Sequence, residues 1–259
     1  MNAELDGKIV LVSGGAGGIG SAISKSFAKQ GAKVVVHYHK SKNEAKLLAK
    51  EIEGVAINAD LTKSEDTIKL FNEIIEKEGR LDICIANAGK YPKESMSLWD
   101  IDDKRWNETV STNLSLAFNT SREFLKHVSK TKKGSLVFVG STAGIYGEAG
   151  HSDYAAAKGA ITSGLLKTLK NEAAQIGDGV RINAVAPGWT VTQKKIDEGL
   201  ERKHVDKVVS TMSLKKLATP EDVANSIVIL ASDSLSGHTT GQVVEIAGGM
   251  EGRLITGTK

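Results

Sequence analysis

The sequence predicts an α/β fold in which helices cover both faces of a parallel sheet. Three features predict it: short β-branched apolar runs recur from end to end, amphipathic segments separate them, and most of the runs are continuous rather than alternating. Strands buried on both faces require such continuity, and strand–helix alternation implies right-handed crossovers between parallel strands. The expected strands occupy 9–13, 33–38, 55–58, 83–86, 135–141, 181–186 and 243–247. Capping residues mark helix starts between them: Ser41 with Glu44, Thr62 with Glu65, and Thr219 with Pro220 and Asp222. Two connections are longer than the rest, 90–103 and the Lys- and Glu-rich 190–218. Both follow strand C-terminal ends, where open α/β sheets bind ligands, and the second is expected to form a substrate lid.

A length of 259 residues suits one large domain, 1–259, with no linker or repeat. The net charge of +3, from 34 basic and 31 acidic residues, leaves no footprint for nucleic acid. Lys130, Lys132 and Lys133, and the pair Lys194 and Lys195, are short clusters that read as solvated surface. The single cysteine, Cys84, excludes an internal disulfide and lies in an apolar run, as a buried, inert thiol. The first residues carry acids and no apolar stretch, and no run approaches the roughly 18 residues of a membrane span. A cytoplasmic protein with no membrane partner is expected. His37, His39 and His127 share no ligand spacing with one another or with Cys84, so no catalytic metal is expected.

The segment Ser13-Gly14-Gly15-Ala16-Gly17-Gly18-Ile19-Gly20 joins the first strand to a helix. Glycine there lets the backbone approach a pyrophosphate at the positive end of the helix. More than one register fits, because Gly15-x-Gly17-x-x-Gly20 is also present. The second strand runs into His39-Lys40-Ser41-Lys42, with no Asp or Glu between Lys33 and Asn43. NAD-selective sites place an acid here for the ribose 2′-hydroxyl, whereas basic residues accommodate the 2′-phosphate of NADP. NADP(H) is therefore favoured, with His39, Lys40 and Ser41 as its contacts. NAD(H) is the alternative, since Gly17 puts no cation in the loop and Ser41 already has a capping role.

Tyr154 and Lys158 stand four apart on a helical stretch reaching about Gln175, and so share a face. Free tyrosine, with a pKa of about 10, exchanges protons poorly at neutral pH, and a nearby ammonium lowers that value. The preceding strand ends at Ser141, so a serine hydroxyl can stand beside the pair.

These segments together resemble the short-chain dehydrogenase/reductase family over essentially the whole chain, in particular its 3-oxoacyl-ACP reductase and glucose dehydrogenase types. Ser13-Gly14-x-x-x-Gly18-Ile19-Gly20 is similar to the family's cofactor turn, with serine where threonine is more usual. Asp60-Leu61 follows the third strand, Ala86-Asn87-Ala88-Gly89 ends the fourth, and Thr112-Asn113-Leu114 lies in the next helix. Ser141, Tyr154 with Lys158, and Pro187-Gly188 then follow in the family's order.

The resemblance implies a Rossmann-like, doubly wound sheet of seven parallel strands in the order 3-2-1-4-5-6-7. It implies Tyr154 as general acid in reduction and base in oxidation, and Ser141 on the substrate oxygen. Lys158 would lower the Tyr154 pKa and hold the nicotinamide ribose, and Asn113 would hold a water of a proton relay. Gly14, Gly17, Gly18, Ile19, Gly20, Asp60, Leu61, Asn87, Ala88, Gly89, Pro187, Gly188, Thr190 and Thr192 would complete the cofactor site. Tyr146, His151 and Trp189 fall where the substrate pocket is placed, although a loop histidine shaping its mouth is the simpler reading of His151. Family members are commonly homotetramers or homodimers, using the long helices that begin near Asp102 and Tyr154. The apolar face of Ile161, Leu165 and Leu169 fits either that use or core packing. The expected function is hydride transfer between NADP(H) and a small-molecule carbonyl/secondary alcohol pair. An NAD(P)-dependent sugar dehydrogenase is the alternative, and a non-catalytic dinucleotide sensor a remote one. The tail 250–259 is expected to be frayed or to reach a neighbouring subunit.

Overall fold

The structure is a computed structural model that describes residues 2–197, 199 and 202–250. Its first half alternates strictly: β1 (Ile9–Val12), α1 (Gly18–Lys29), β2 (Lys33–Tyr38), α2 (Lys42–Glu51), β3 (Val55–Asn58), α3 (Ser64–Glu78) and β4 (Ile83–Ala86). A second half follows with α4 (Asp103–Val110), α5 (Leu116–Thr131), β5 (Lys133–Val139), α6 (Ala143–Tyr146), α7 (Ser152–Gly159), α8 (Leu166–Ile176) and β6 (Gly179–Pro187). The chain continues through α9 (Gln193–Asp197), α10 (Arg202–Ser210), α11 (Pro220–Ala231), α12 (Asp233–Ser236) and β7 (Val243–Ile246). All strand pairs are parallel and the order is β3-β2-β1-β4-β5-β6-β7, as the resemblance implies. The order reverses between β1 and β4, so a crevice opens beyond their carboxyl ends.

Pleating sends alternate side chains of each strand to opposite faces, and each face buries its own core. On one side Val10, Val12, Val34 and Val36 meet Ile23 and Phe27 of α1 and Val223 and Ile227 of α11. On the other, Leu11, Val35, Leu136 and Phe138 meet Leu70 of α3, Phe124 of α5 and Leu166 of α8. Cys84 is free and fully buried in this second core. Burial on both faces fails at the sheet's edges: Asn58 of β3 and Val244 and Glu245 of β7 are exposed, because an edge strand has one neighbour and incomplete cover.

Only one of the three expected caps forms through its side chain. Thr219 and Asp222 make a reciprocal capping box at α11. Ser41 is the N-cap of α2 but its side chain makes no cap bond. Thr62 is diverted: its N–H and hydroxyl donate to Asp60 Oδ1 at 3.1 and 2.6 Å, and α3 begins after Lys63. A carboxylate two residues upstream outcompetes the helix terminus for that hydroxyl.

Two π-helical turns interrupt stretches that the sequence reads as plain helix, Ser111–Ser115 between α4 and α5 and Ala160–Leu165 between α7 and α8. Ile161 and Leu169 are buried in the second core and Leu165 packs against it, so core packing accounts for that apolar face. The excursion 190–218 is pinned at its base: Thr190 pairs with Ala218, Val191 N–H donates to Ala218 O at 2.9 Å, and Ala218 N–H to Trp189 O at 3.1 Å. Among the described residues no helix is long and apolar enough to cross a membrane. The tail beyond Met250 lies outside the described residues.

The capping difference is measurable by chemical denaturation. Thr219→Ala should lower the unfolding free energy by roughly 1 kcal/mol, and Ser41→Ala by no more than a few tenths.

Candidate active site

The site begins where β1 and β4 part. Ser13, fully buried, accepts through its Oγ the backbone N–H of both Asn87 and Ala88, each at 2.9 Å. Asn87 Nδ2 answers by donating to Ser13 O at 2.9 Å and Gly14 O at 3.3 Å. Gly14 turns here with φ +62, a left-handed conformation, and a Cβ on it would lie 3.2 Å from Ala88 Cα. A Cβ on Gly20 would collide with the Gly14 carbonyl, and one on Gly18 would sit 2.5 Å from Thr192 Cγ2. Gly15 is confined as well, since a Cβ on it would lie 2.9 Å from Val12 O, whereas one on Gly17 would meet only the Gly14 carbonyl oxygen, at 3.3 Å. Gly17 caps α1 without a side-chain bond, and no acid occupies the helix's first turn. The result is a bare, positive helix end in a cradle that side chains would fill, which fits a dinucleotide pyrophosphate.

His37, buried at the end of β2, props this cradle. Its Nδ1 accepts the Gly14 N–H at 3.0 Å and its Nε2 lies 3.1 Å from Ala59 O, so Nε2 carries the proton. Burial lowers its pKa to about 4. Beyond it His39, Lys40 and Ser41 are exposed together. Asp60 stands 4.0 Å from His39 Nε2 and 3.8 Å from Lys63 Nζ, its pKa lowered by the Thr62 hydroxyl and by these charges. Leu61 is buried, and its carbonyl accepts Asn119 Nδ2 at 2.9 Å.

Four residues the sequence singles out converge at the other end of the crevice. Because β5 stops at Val139, Ser141 lies in the loop beyond it, where its Oγ accepts the Ala143 N–H at 3.2 Å, close enough to the Tyr154 hydroxyl to influence its ionisation. Burial pushes the Tyr154 pKa up to about 12, with Ser141 pulling it down and the charge of Glu148 adding to the rise. Lys158 is buried, donates to Val139 O at 2.9 Å, and has its Nζ 5.7 Å from the centre of the Tyr154 ring. Burial lowers its pKa to about 8. Burial rather than the ammonium thus dominates the Tyr154 pKa in this arrangement. Asn113 is fully buried in the first π turn, donating to Lys90 O at 2.9 Å and Thr109 O at 3.0 Å and accepting Lys90 N–H at 3.3 Å. A Cβ on Gly89 would fall 2.8 Å from Asn113 Oδ1 and 3.3 Å from Lys158 Nζ, so glycine keeps the gap between them open.

The remaining expected residues divide. Pro187 O accepts the Thr142 N–H at 3.0 Å, Gly188 N–H donates to Ile246 O at 3.0 Å, and Thr190 Oγ1 donates to Gly188 O at 3.1 Å. Thr192 rests over Gly18, so the excursion's first leg passes over the glycine turn. His151 is brought to the Tyr154 side. Tyr146 instead sends its hydroxyl to Glu245 Oε2 on β7 at 2.6 Å, and Trp189 is partly exposed at the base of the excursion.

Two groups of residues went unnoticed in the sequence. Tyr91 stacks on His151 at 4.5 Å and meets the Tyr154 ring edge-on at 5.0 Å. Its hydroxyl donates to Glu148 Oε1 at 2.6 Å. Asp153, fully buried, accepts Arg105 Nε at 3.0 Å and Thr109 Oγ1 at 2.8 Å, joining α7 to α4. The only available signal was adjacency: Tyr91 follows Gly89 closely and Asp153 precedes Tyr154. Among the described residues no group of three or more His, Cys, Asp or Glu could hold a metal ion.

His37 makes the cradle's stability depend on pH. A pKa of 6.5 falling to about 4 means the unfolded chain binds the extra proton between those values. The contribution is complete above pH 6.5 and is lost as pH falls toward 4, by about 3 kcal/mol in total. Denaturation at pH 7 and pH 4.5 should show a steeper acid loss in the unmodified protein than in His37→Gln; equal losses would contradict the assignment.

A family model described as enoyl-(acyl carrier protein) reductase matches residues 14–251. The 3-oxoacyl-[acyl-carrier-protein] reductase of Thermotoga maritima is 35% identical over 252 residues, covering 95% of this chain and 99% of that protein. The enzyme of the same name from Staphylococcus epidermidis is 31% identical over 248 residues, covering 94% and 98%. Its counterpart from Synechocystis sp. is 31% identical over 251 residues, covering 95% and 98%. With the parallel sheet, the glycine cradle and the Tyr154–Lys158 centre in place, these matches show that the chain belongs to the short-chain dehydrogenase/reductase family, a family of oxidoreductases.

Proposed function

We propose that this oxidoreductase reduces a carbonyl group with NADP(H), and that Tyr154 delivers the proton to the carbonyl oxygen. The observation that carries this reading is the gathering of four residues at one place: buried Lys158 with its Nζ 5.7 Å from the centre of the Tyr154 ring, Ser141 beside the phenol, and buried Asn113 across Gly89 from Lys158. A phenol whose pKa is about 12 is protonated at neutral pH, so Tyr154 holds the proton that carbonyl reduction consumes. Ser141 would orient the same oxygen, and Asn113 and Lys158, on either side of Gly89, would hold a relay water. A bound nicotinamide would supply the hydride. Gly14, Gly18 and Gly20 would cradle its pyrophosphate, Lys158 its ribose, and Thr190, Thr192 and Pro187 the side near the excursion.

Exposed His39, Lys40 and Ser41 support a 2′-phosphate, the more so because Ser41 is not engaged in capping α2. The relatives named above are reductases of acyl thioesters, which supports a 3-oxoacyl thioester over a sugar. The presence of all four chemical residues at one site argues against a mere sensor. The reading includes one domain with 190–218 as its lid, a cytoplasmic setting, and a homotetramer or homodimer built on α4–α5 and α7–α8.

Tyr154→Phe should reduce turnover at least ~100-fold while leaving NADPH binding, read by fluorescence, within about twofold. Retained turnover would sink the mechanism. Lys158 is charged below its pKa of about 8 and neutral above it, while Tyr154 stays protonated through this range. Reductive kcat/KM should therefore fall as pH rises through about 8, and a profile flat from pH 7 to 9.5 would remove Lys158 from the chemistry. NADPH should bind more tightly than NADH, and Lys40→Ala or His39→Ala should weaken NADPH alone, by roughly tenfold. Tighter NADH binding by the unmodified protein would reverse the cofactor assignment.

A further inference from the structure

Beside Tyr154 lies a polar group that the proposed proton transfer does not use. His151 is 7% exposed, and neither of its ring nitrogens has a hydrogen-bond partner among the described residues. Ser152 Oγ next to it is likewise buried and unpartnered. Buried polar atoms are paired almost without exception, and those left open at a site await a ligand or water. The surroundings hold the imidazole without satisfying it. Tyr91 stacks flat on its face at 4.5 Å, and the Tyr91 ring in turn meets the Tyr154 ring edge-on at 5.0 Å. Glu148 is occupied by the Tyr91 hydroxyl at 2.6 Å and stays 4.0 Å from His151 Nδ1, beyond hydrogen-bond reach. Glu148 therefore fixes the aromatic plate and leaves both imidazole nitrogens buried without a partner, so that a ligand reaching them would do so by a small shift of the surrounding loop. The loop before the helix is held in turn by Met96 N–H donating to Gly150 O at 2.8 Å. This places His151 on the side of Tyr154 formed by the 90–103 connection, away from the glycine cradle.

We propose that His151, positioned by Tyr91 and Glu148, is a substrate subsite that hydrogen-bonds a second oxygen lying close to the carbonyl under reduction. The subsite rests on the reading of Tyr154 as proton donor. An imidazole N–H donates equally to an acyl carbonyl and to a hydroxyl oxygen, so the chemistry it selects is a carbonyl compound with a neighbouring oxygen. A plain ketone offers nothing to it.

The test compares three substrates with NADPH: a 3-oxobutanoyl thioester of N-acetylcysteamine, hydroxyacetone, and 2-pentanone. His151→Leu should lower kcat/KM at least tenfold on one or both oxygen-bearing substrates and less than twofold on 2-pentanone, with NADPH binding unchanged. His151→Gln, which keeps a donor and an acceptor, should recover most of the loss. A loss confined to the thioester assigns the oxygen to an acyl group; one confined to hydroxyacetone assigns it to a hydroxyl. Should His151→Leu fail to bind NADPH, His151→Met serves in its place. Equal losses on all three substrates, or none, would overturn the subsite while Tyr154-dependent turnover stands. Turnover that is absent or survives Tyr154→Phe overturns the underlying reading and the subsite with it.

Discussion

One hydroxyl holds the crevice in shape. Ser13 Oγ receives two consecutive backbone N–H groups from the end of β4, and Asn87 returns a bond to the end of β1. Without that reciprocal clamp, the two strands that diverge at the order reversal would leave several buried polar groups unpaired. Gly14 can adopt its left-handed turn against Ala88 only because the clamp sets the spacing. His37 then closes the cradle from the β2 side through the Gly14 N–H. The bare end of α1 is thus positioned by side chains at the ends of three strands.

The catalytic end depends on a different set of polar locks. Asp153 ties α7 to α4 through Arg105 and Thr109, and the Thr109 carbonyl takes the Asn113 side chain. An α-helical turn would give that carbonyl to the backbone N–H of residue 113, so the π turn and the side-chain bond belong together. Asn113 also grips both backbone groups of Lys90, which orders the start of the 90–103 connection. Tyr154, Asn113 and Tyr91 consequently share one framework. Displacing any of these elements moves the Tyr154 hydroxyl relative to the 90–103 connection, and active sites are sensitive to misplacements near 1 Å.

Electrostatics at this end follow from burial. Taking Lys158 out of water lowers its pKa to about 8, and the same exclusion raises Tyr154 to about 12. Lys158 directs its proton to the Val139 carbonyl, which places the ammonium without pairing it with a carboxylate. Glu148, the nearby acid, opposes ionisation of Tyr154 and is occupied by Tyr91. Burial and Glu148 keep the phenol protonated, against the pull of Ser141.

By itself the sequence determined the sheet and the local chemistry of its turns. Strand continuity, helical periodicity, the glycine turn and the Tyr154–Lys158 spacing are properties of short segments, and steric rules act on them locally. Even there competition misled: Thr62 reads as a cap until Asp60 takes its hydroxyl. Tertiary structure alone decided the partners separated along the chain. Arg105 and Asp153 are 48 residues apart and Tyr91 and Glu148 are 57 apart, and no periodicity links such pairs. It also decided the neighbours of the loop residues, joining His151 to Tyr154 through Tyr91 and Tyr146 to Glu245. Side-chain direction in loops after a strand depends on what the neighbouring strands and helices leave open, and that exists only once the sheet has closed.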